Sequence, residues 1–306
     1  MNRRAFLKTL VGGAALLGAA GPLASLPTAS ASEPTALFPD LVAVKGADPA
    51  KMYAQAIAAL GGLGRFVKTG QTVLIKPNMG WATPPEAAAN TNPALLTALI
   101  ENALAAGAKK VSVFDNTCDN WRQAYAVSGL EAAAKAAGAE VAPANQEKYF
   151  QRTALPGGRS LTETAYHELY LEADVVINVP VLKQHGGAKM TAALKNLMGA
   201  IWDRSELHSK GLDQTIPDLF LHKKPALNVL DAFRVMVSGG PRGYGSSAYV
   251  APQMLLISSD PVAIDAAAAR ILNEAGLTAP DYIRRAAELG LGTDDLPTLN
   301  IQRLVS

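Results

Sequence analysis

The chain has one cysteine among 306 residues. Cys118 alone can form no internal disulfide, and it excludes a four-cysteine zinc or iron–sulfur site within this chain. Charge is also sparse: 28 Lys and Arg stand against 26 Asp and Glu, a net of +2. That balance excludes a protein living on nucleic-acid phosphates, which needs a basic surface. The four histidines form no His-x-x-x-His or His-Glu-x-x-His pair, so the zinc-protease pattern is absent. Walker and Gly-x-Ser-x-Gly sequences are missing, and no Gly-x-Gly-x-x-Gly follows the first strand. No apolar run reaches the roughly 20 residues that span a bilayer, so no stable membrane anchor is expected. What is plentiful is apolar side chain, at 49%. That is too much for a disordered chain, and the length suits one large or two small domains.

Residues 1–31 differ from the rest. Arg3-Arg4 precedes Phe6-Leu7-Lys8, a Gly- and Ala-rich apolar run follows over 10–20, and Ala29-Ser30-Ala31 is a small-x-small cleavage site. This order reads as a cleaved secretory signal of twin-arginine type. It implies a periplasmic or otherwise exported protein and the twin-arginine export machinery as a partner. That route carries folded proteins, often with a cofactor already inserted. Cleavage removes Arg3, Arg4 and Lys8 and no acid, so the formal charge moves from +2 to −1. Residues 32–306 are expected to form a single α/β domain.

Through that domain, short β-branched runs alternate with Ala-rich helical stretches. Strands are expected at 41–44, 72–76, 110–115, 140–142, 174–179, 227–231, 254–258 and 299–304. Helices are expected at 50–59, 93–106, 121–137, 260–273 and 280–289. The alternation predicts an α/β fold with a mainly parallel sheet and helices on both faces. The stretch 184–224 breaks it and is expected to be an inserted helical and loop excursion, with a helix around 190–201.

Ligands of open parallel sheets bind beyond the C-terminal strand ends. Five expected strands end in polar groups: Lys76-Pro77-Asn78, Asp115-Asn116, Asn178 with Lys183-Gln184-His185, Asp231, and Ser258-Ser259-Asp260. Lys76, Lys189, Asn78, Asn178 and Asn196 are the candidate anion- or substrate-binding groups. Lys183, Lys195 and His185 are the candidate catalytic groups, because a converging lysine set holds an anion and lowers one amine's pKa for base chemistry. Asp115 and Asp231 are the candidate ligands of a divalent metal. Asp260 reads better as an N-cap before Pro261, and Asp265 as a buried carboxylate needing a partner. His208 ranks after His185, while His167 and His222 read as packing or surface residues. Cys118 reads first as a small buried residue and second as a thiolate ligand or redox group, and Ser238–Gly243 with Gly245 as a turn or anion-cradling loop.

Several of these segments fall into a known order. Ile75-Lys76-Pro77-Asn78, Asn178-Val179-Pro180-Val181-Leu182-Lys183-Gln184-His185, Thr191 with Leu194-Lys195-Asn196-Leu197-Met198-Gly199, Ile216-Pro217-Asp218-Leu219, Asp231-Ala232 with Gly239-Gly240-Pro241, and Ser259 to Asp265 resemble the domain of unknown function 362 family over roughly 70–275. The resemblance implies no settled reaction. Many members carry a ferredoxin-like module with clustered cysteines, which the lone Cys118 does not match. The family usually has Lys-Thr-His where this chain has Lys183-Gln184-His185. Two functions are therefore expected. One is an enzyme acting on a small carboxylate or phosphate, with or without the help of a divalent metal. The other is a non-catalytic exported binding or maturation factor for a metal, cofactor or redox partner.

Overall fold

The computed structural model describes residues 38–243 and 247–306. The expected signal and Gly245 lie outside the described residues. Among the described residues, thirteen strands and ten α-helices follow in chain order: β1 (Leu41–Lys45), α1 (Pro49–Ala59), β2 (Thr72–Pro77), α2 (Pro93–Ala105), β3 (Lys110–Val113), α3 (Trp121–Val127), α4 (Leu130–Ala136), β4 (Glu140–Val141), β5 (Phe150–Ala154), β6 (Glu163–His167), α5 (Glu168–Glu172), β7 (Val175–Val179), β8 (Val181–His185), β9 (Lys189–Thr191), α6 (Ala193–Asn196), α7 (Ser205–Lys210), α8 (Leu212–Asp218), β10 (Leu227–Met236), β11 (Tyr249–Val250), β12 (Met254–Ser258), α9 (Pro261–Glu274), α10 (Tyr282–Glu288) and β13 (Ile301–Val305).

The main sheet runs β13-β1-β12-β10-β7-β2-β3-β4. Side chains on a strand alternate between faces, and both faces here are apolar. Val73, Ile75, Val175 and Ile177 pack under α1, α2 and α4 with Met52, Leu96, Leu99 and Leu130. Leu74, Val176, Leu230 and Leu256 pack on the other face with Ile216, Ile264, Ala268 and Tyr282 of α8, α9 and α10. Each fully buried aliphatic side chain contributes about 1.5–3 kcal/mol. This is the expected α/β architecture with helices on both faces.

The helix starts follow their local chemistry. Asn92 accepts from the Ala94 amide ahead of Pro93, and Asp260 accepts from the Val262 and Ala263 amides ahead of Pro261. The helix expected over 121–137 is two helices. Gly129, at φ +73°, turns the chain between them, and Ser128 bonds back to the Tyr125 carbonyl.

Two strand-end expectations are corrected. β12 runs antiparallel to both β10 and β1, with Ser258 opposite Asn228 and Leu41. Its end at Asp260 therefore lies at the opposite sheet edge from the others. β10 continues five residues beyond Asp231, to Met236, so Asp231 sits inside a strand. The helix expected around 190–201 starts later. Lys189–Thr191 is a strand pairing antiparallel with Lys183–His185, and helical backbone begins at Ala193.

Candidate functional site

β2 delivers Lys76 to the parallel sheet edge with no solvent exposure. Its Nζ lies 2.9 Å from Asp115 Oδ1 and donates to the Pro77 carbonyl at 2.6 Å. Asp115, just past β3, accepts from the Met79 amide through Oδ2 at 2.6 Å. Burial lowers the Lys76 pKa, and the Asp115 charge opposes that shift. Gly199 lies directly over the pair: a Cβ there would fall on Asp115 Oδ1 and crowd Lys76 Nζ. Only glycine permits this approach.

A network of amides sits beside this pair. Asn196 donates to Asn178 Oδ1 at 2.8 Å and to the Lys76 carbonyl at 3.2 Å, and accepts from Asn78 at 3.0 Å. Asn178 in turn donates to the Ala193 carbonyl and to Asn228 Oδ1. Asp265 of α9 finds its partners here, accepting from the Ala193 and Leu194 amides at 2.6 and 3.1 Å. Burial pushes its carboxyl up to about 8. The short turn of α6 is thus tied to two strands and a helix, and Lys195 projects from it.

Above the network lies a cavity of about 420 Å³, lined by Asn78, Trp81, Asp115, Cys118, Lys183, His185, Thr191, Lys195, Asn196, Met198, Arg204 and His208 among others. Three cationic side chains meet there. Lys183, 1% exposed, donates to the Ala89 carbonyl and to Asn78 Oδ1. Burial, then neighbouring Lys195 and Lys76 against Cys118 and Asp115, brings its pKa down to about 7. Lys195, 9% exposed, has no hydrogen-bond partner among the described residues, and burial brings it to about 8. Arg204 donates to the Asn116 and Thr117 carbonyls and to Cys118 Sγ at 3.0 Å. Thr191 Oγ1, buried in the same wall, also lacks a partner among the described residues.

His185 has a fixed tautomer. Its Nδ1 accepts from the Gly187 and Ala188 amides at 3.1 Å each, so Nε2 carries the proton. Burial, then Lys195, Lys183 and His208, lower its pKa to about 3. At neutral pH the ring is an uncharged hydrogen-bond donor.

Of the residues singled out from sequence, Asn78, Asp115, Lys183, His185, Lys195 and Asn196 line this cavity. Lys76 and Asn178 support its wall from below. Lys189 lies exposed at the start of β9, at φ +62°, and is not among the lining residues. Asp231 lies elsewhere, accepting from the Asn92 and Phe233 amides at 2.8 and 3.0 Å. Asp115 and Asp231 thus do not share a centre. No group of three or more His, Cys, Asp or Glu that could hold a metal occurs among the described residues. Cys118, expected to be buried, is exposed in the cavity wall. His167 is a packing residue, stacked on Phe114 at 4.0 Å. Gly240 donates to Gln184 Oε1, so that part of the glycine-rich loop docks on the β8–β9 hairpin.

Arg204 and Trp81 have no place among the residues expected from sequence, and Asn116 enters there only as part of a polar strand end. Arg204 lies at the start of a polar stretch, 203–213, with no periodicity, and only the fold carries it back to Cys118. Thr191 was noted only as part of the family pattern.

Residues 73–270 match the family described as Domain of unknown function (DUF362), and the chain belongs to that family. Among named proteins, it is 31% identical over 148 residues to the thylakoid-associated protein sll1697 of Synechocystis sp., a match covering 46% of this chain and 43% of that one. The chain therefore spans under half the length of that relative. Among solved structures, it is similar to the lactate racemase apoprotein of Thermoanaerobacterium thermosaccharolyticum at TM-score 0.43 and 12% identity, covering 69% of this chain and 54% of that one. A Thermotoga maritima protein matches at TM-score 0.44 and 9% identity, covering 79% and 59%. No helix among the described residues is long and apolar enough to cross a membrane.

Proposed function

We propose that this chain is an enzyme acting on a small organic anion, a carboxylate or phosphate, seated in the cavity beyond β2, β3 and β8. One observation carries the reading: Lys183, Lys195 and Arg204 face one cavity, and Asp115, the carboxylate in its lining, already faces Lys76. Unpaired cationic charge held in a low-dielectric wall favours an anion there. A volume of about 420 Å³ exceeds an inorganic ion and falls in the range of small-ligand sites. Lys195, Arg204 and Thr191 would hold the anionic group, with Trp81 and Met198 against the remainder. Lys183, titrating near neutrality, would move a proton. His185 would donate from Nε2 without changing charge.

The test is calorimetric titration with a panel of carboxylates and phosphoesters, followed by product analysis. Binding with turnover supports the enzyme. Binding without turnover across the panel turns the assignment to a carrier built on the same cavity. Export by the twin-arginine route forms part of the proposal and rests on Arg3-Arg4 and the Ala29-Ser30-Ala31 site. Cell fractionation of the chain with Lys at both arginines should show loss of export; unchanged export would contradict it.

A further inference from the structure

We propose that Lys195 is the nucleophile that forms a Schiff base with a small oxo acid, a molecule carrying a carbonyl beside its anionic group. This deepens the anion-site reading and rests on it. Three observations of geometry point to Lys195 rather than to the other lysines. Lys76 is committed to Asp115 at 2.9 Å. Lys183 is committed to the Ala89 carbonyl and Asn78. Lys195 lines the same cavity, is nine-tenths buried, and has no hydrogen-bond partner among the described residues. Its lone pair, once the amine is neutral, is engaged with nothing among the described residues.

Its position is also held in advance. Asp265 fixes the two amides just before it, and Asn196, directly after it, is bonded to Asn78, Asn178 and the Lys76 carbonyl. A reacting group fixed by its neighbours on both sides loses little freedom on attack. The cavity supplies the rest of the chemistry. Thr191 Oγ1, buried and unpartnered, and the Arg204 guanidinium are placed in the same walls for the carboxylate. A desolvated amine beside other cations is neutral in useful fraction near physiological pH, which is the usual way a lysine becomes a carbonyl nucleophile.

The step balances without an outside reactant. Neutral Lys195 Nζ forms the N–C bond as the carbonyl π bond breaks. The surplus proton on nitrogen passes to the carbonyl oxygen and gives a carbinolamine. Its hydroxyl takes a second proton from the Lys183 ammonium and leaves as water. The product is the protonated imine on Lys195, and Lys183 regains its proton from solvent.

The test uses the full chain with pyruvate or glyoxylate as probe and borohydride as trap, read by intact mass and peptide mapping. The expected result is one reduced adduct per chain, at Lys195. It should be absent from Lys195→Arg, present in Lys135→Arg, an exposed lysine outside the cavity, and suppressed in the wild type by excess malonate, which is an anion without a reactive carbonyl. Calorimetry with malonate runs in parallel. Malonate binding with no adduct, or with adducts spread equally over surface lysines, overturns the Schiff-base assignment and leaves the anion site standing. No malonate binding and no adduct overturns both. The competition arm needs only wild-type protein, so the outcome stands even where the arginine variant fails to fold.

Discussion

A buried ammonium without a partner costs stability unless something occupies the space beside it. Lys195 has no partner among the described residues, so Lys195→Met should stabilise the unliganded protein while weakening anion binding. A gain of about 1 kcal/mol would raise the melting temperature by roughly 2–4 °C. A fall in melting temperature would show that the ammonium has a partner in the unliganded fold. Asp115 behaves in the opposite way. Asp115→Asn leaves Lys76 buried without its counter-charge and should cost about 3–5 kcal/mol in denaturant unfolding. Affinity should also follow pH. An anion prefers the charged lysines, which dominate below about 7 for Lys183 and about 8 for Lys195. Affinity should therefore be highest on the acid side and decline as pH rises through that window. Much of this was legible from the chain: Lys183, Lys195 and Asn78 each follow an apolar run or occupy a helical rim. The pairing of Lys76 with Asp115 was not, because a lysine at a strand end reads the same whether it meets solvent or a carboxylate from the next strand.

At the scale of elements, the site depends on a short piece of backbone between β9 and α7. Asp265→Ala leaves two buried amides unpaired and should cost about 2–4 kcal/mol, while also loosening Lys195 and lowering anion affinity. Gly199→Ala puts a methyl onto Asp115 and should be more damaging to the site than to the outer helices, as hydrogen exchange would show. Periodicity located the long strands and helices because each has an apolar face to bury. It missed the β8–β9 hairpin. Its residues are mixed in polarity, and its pairing of Lys183 with Thr191 spans a turn rather than a repeat. It also could not give β12 its direction. A buried strand reads alike both ways, and the reversal moves Asp260 to the far edge.

For the whole molecule, that reversal separates two roles. The parallel edge gathers Lys, Asn, Asp and His around a cavity. At the opposite edge Asp260 caps α9 and accepts from Thr293. Asp260→Ala should thus cost about 1–2 kcal/mol of stability and leave anion affinity unchanged; a matching loss of affinity would contradict the division. The near-neutral charge of the chain hides this arrangement, since the cations that matter are local. The most direct measurement is calorimetric titration of a small dicarboxylate or phosphoester into the wild type and Lys195→Met at about pH 6 and about pH 9. Saturable binding at the lower pH, at least roughly tenfold weaker at the higher and lost in the variant, is the predicted result. Binding indifferent to both pH and Lys195 would contradict the assignment of this cavity as an anion site.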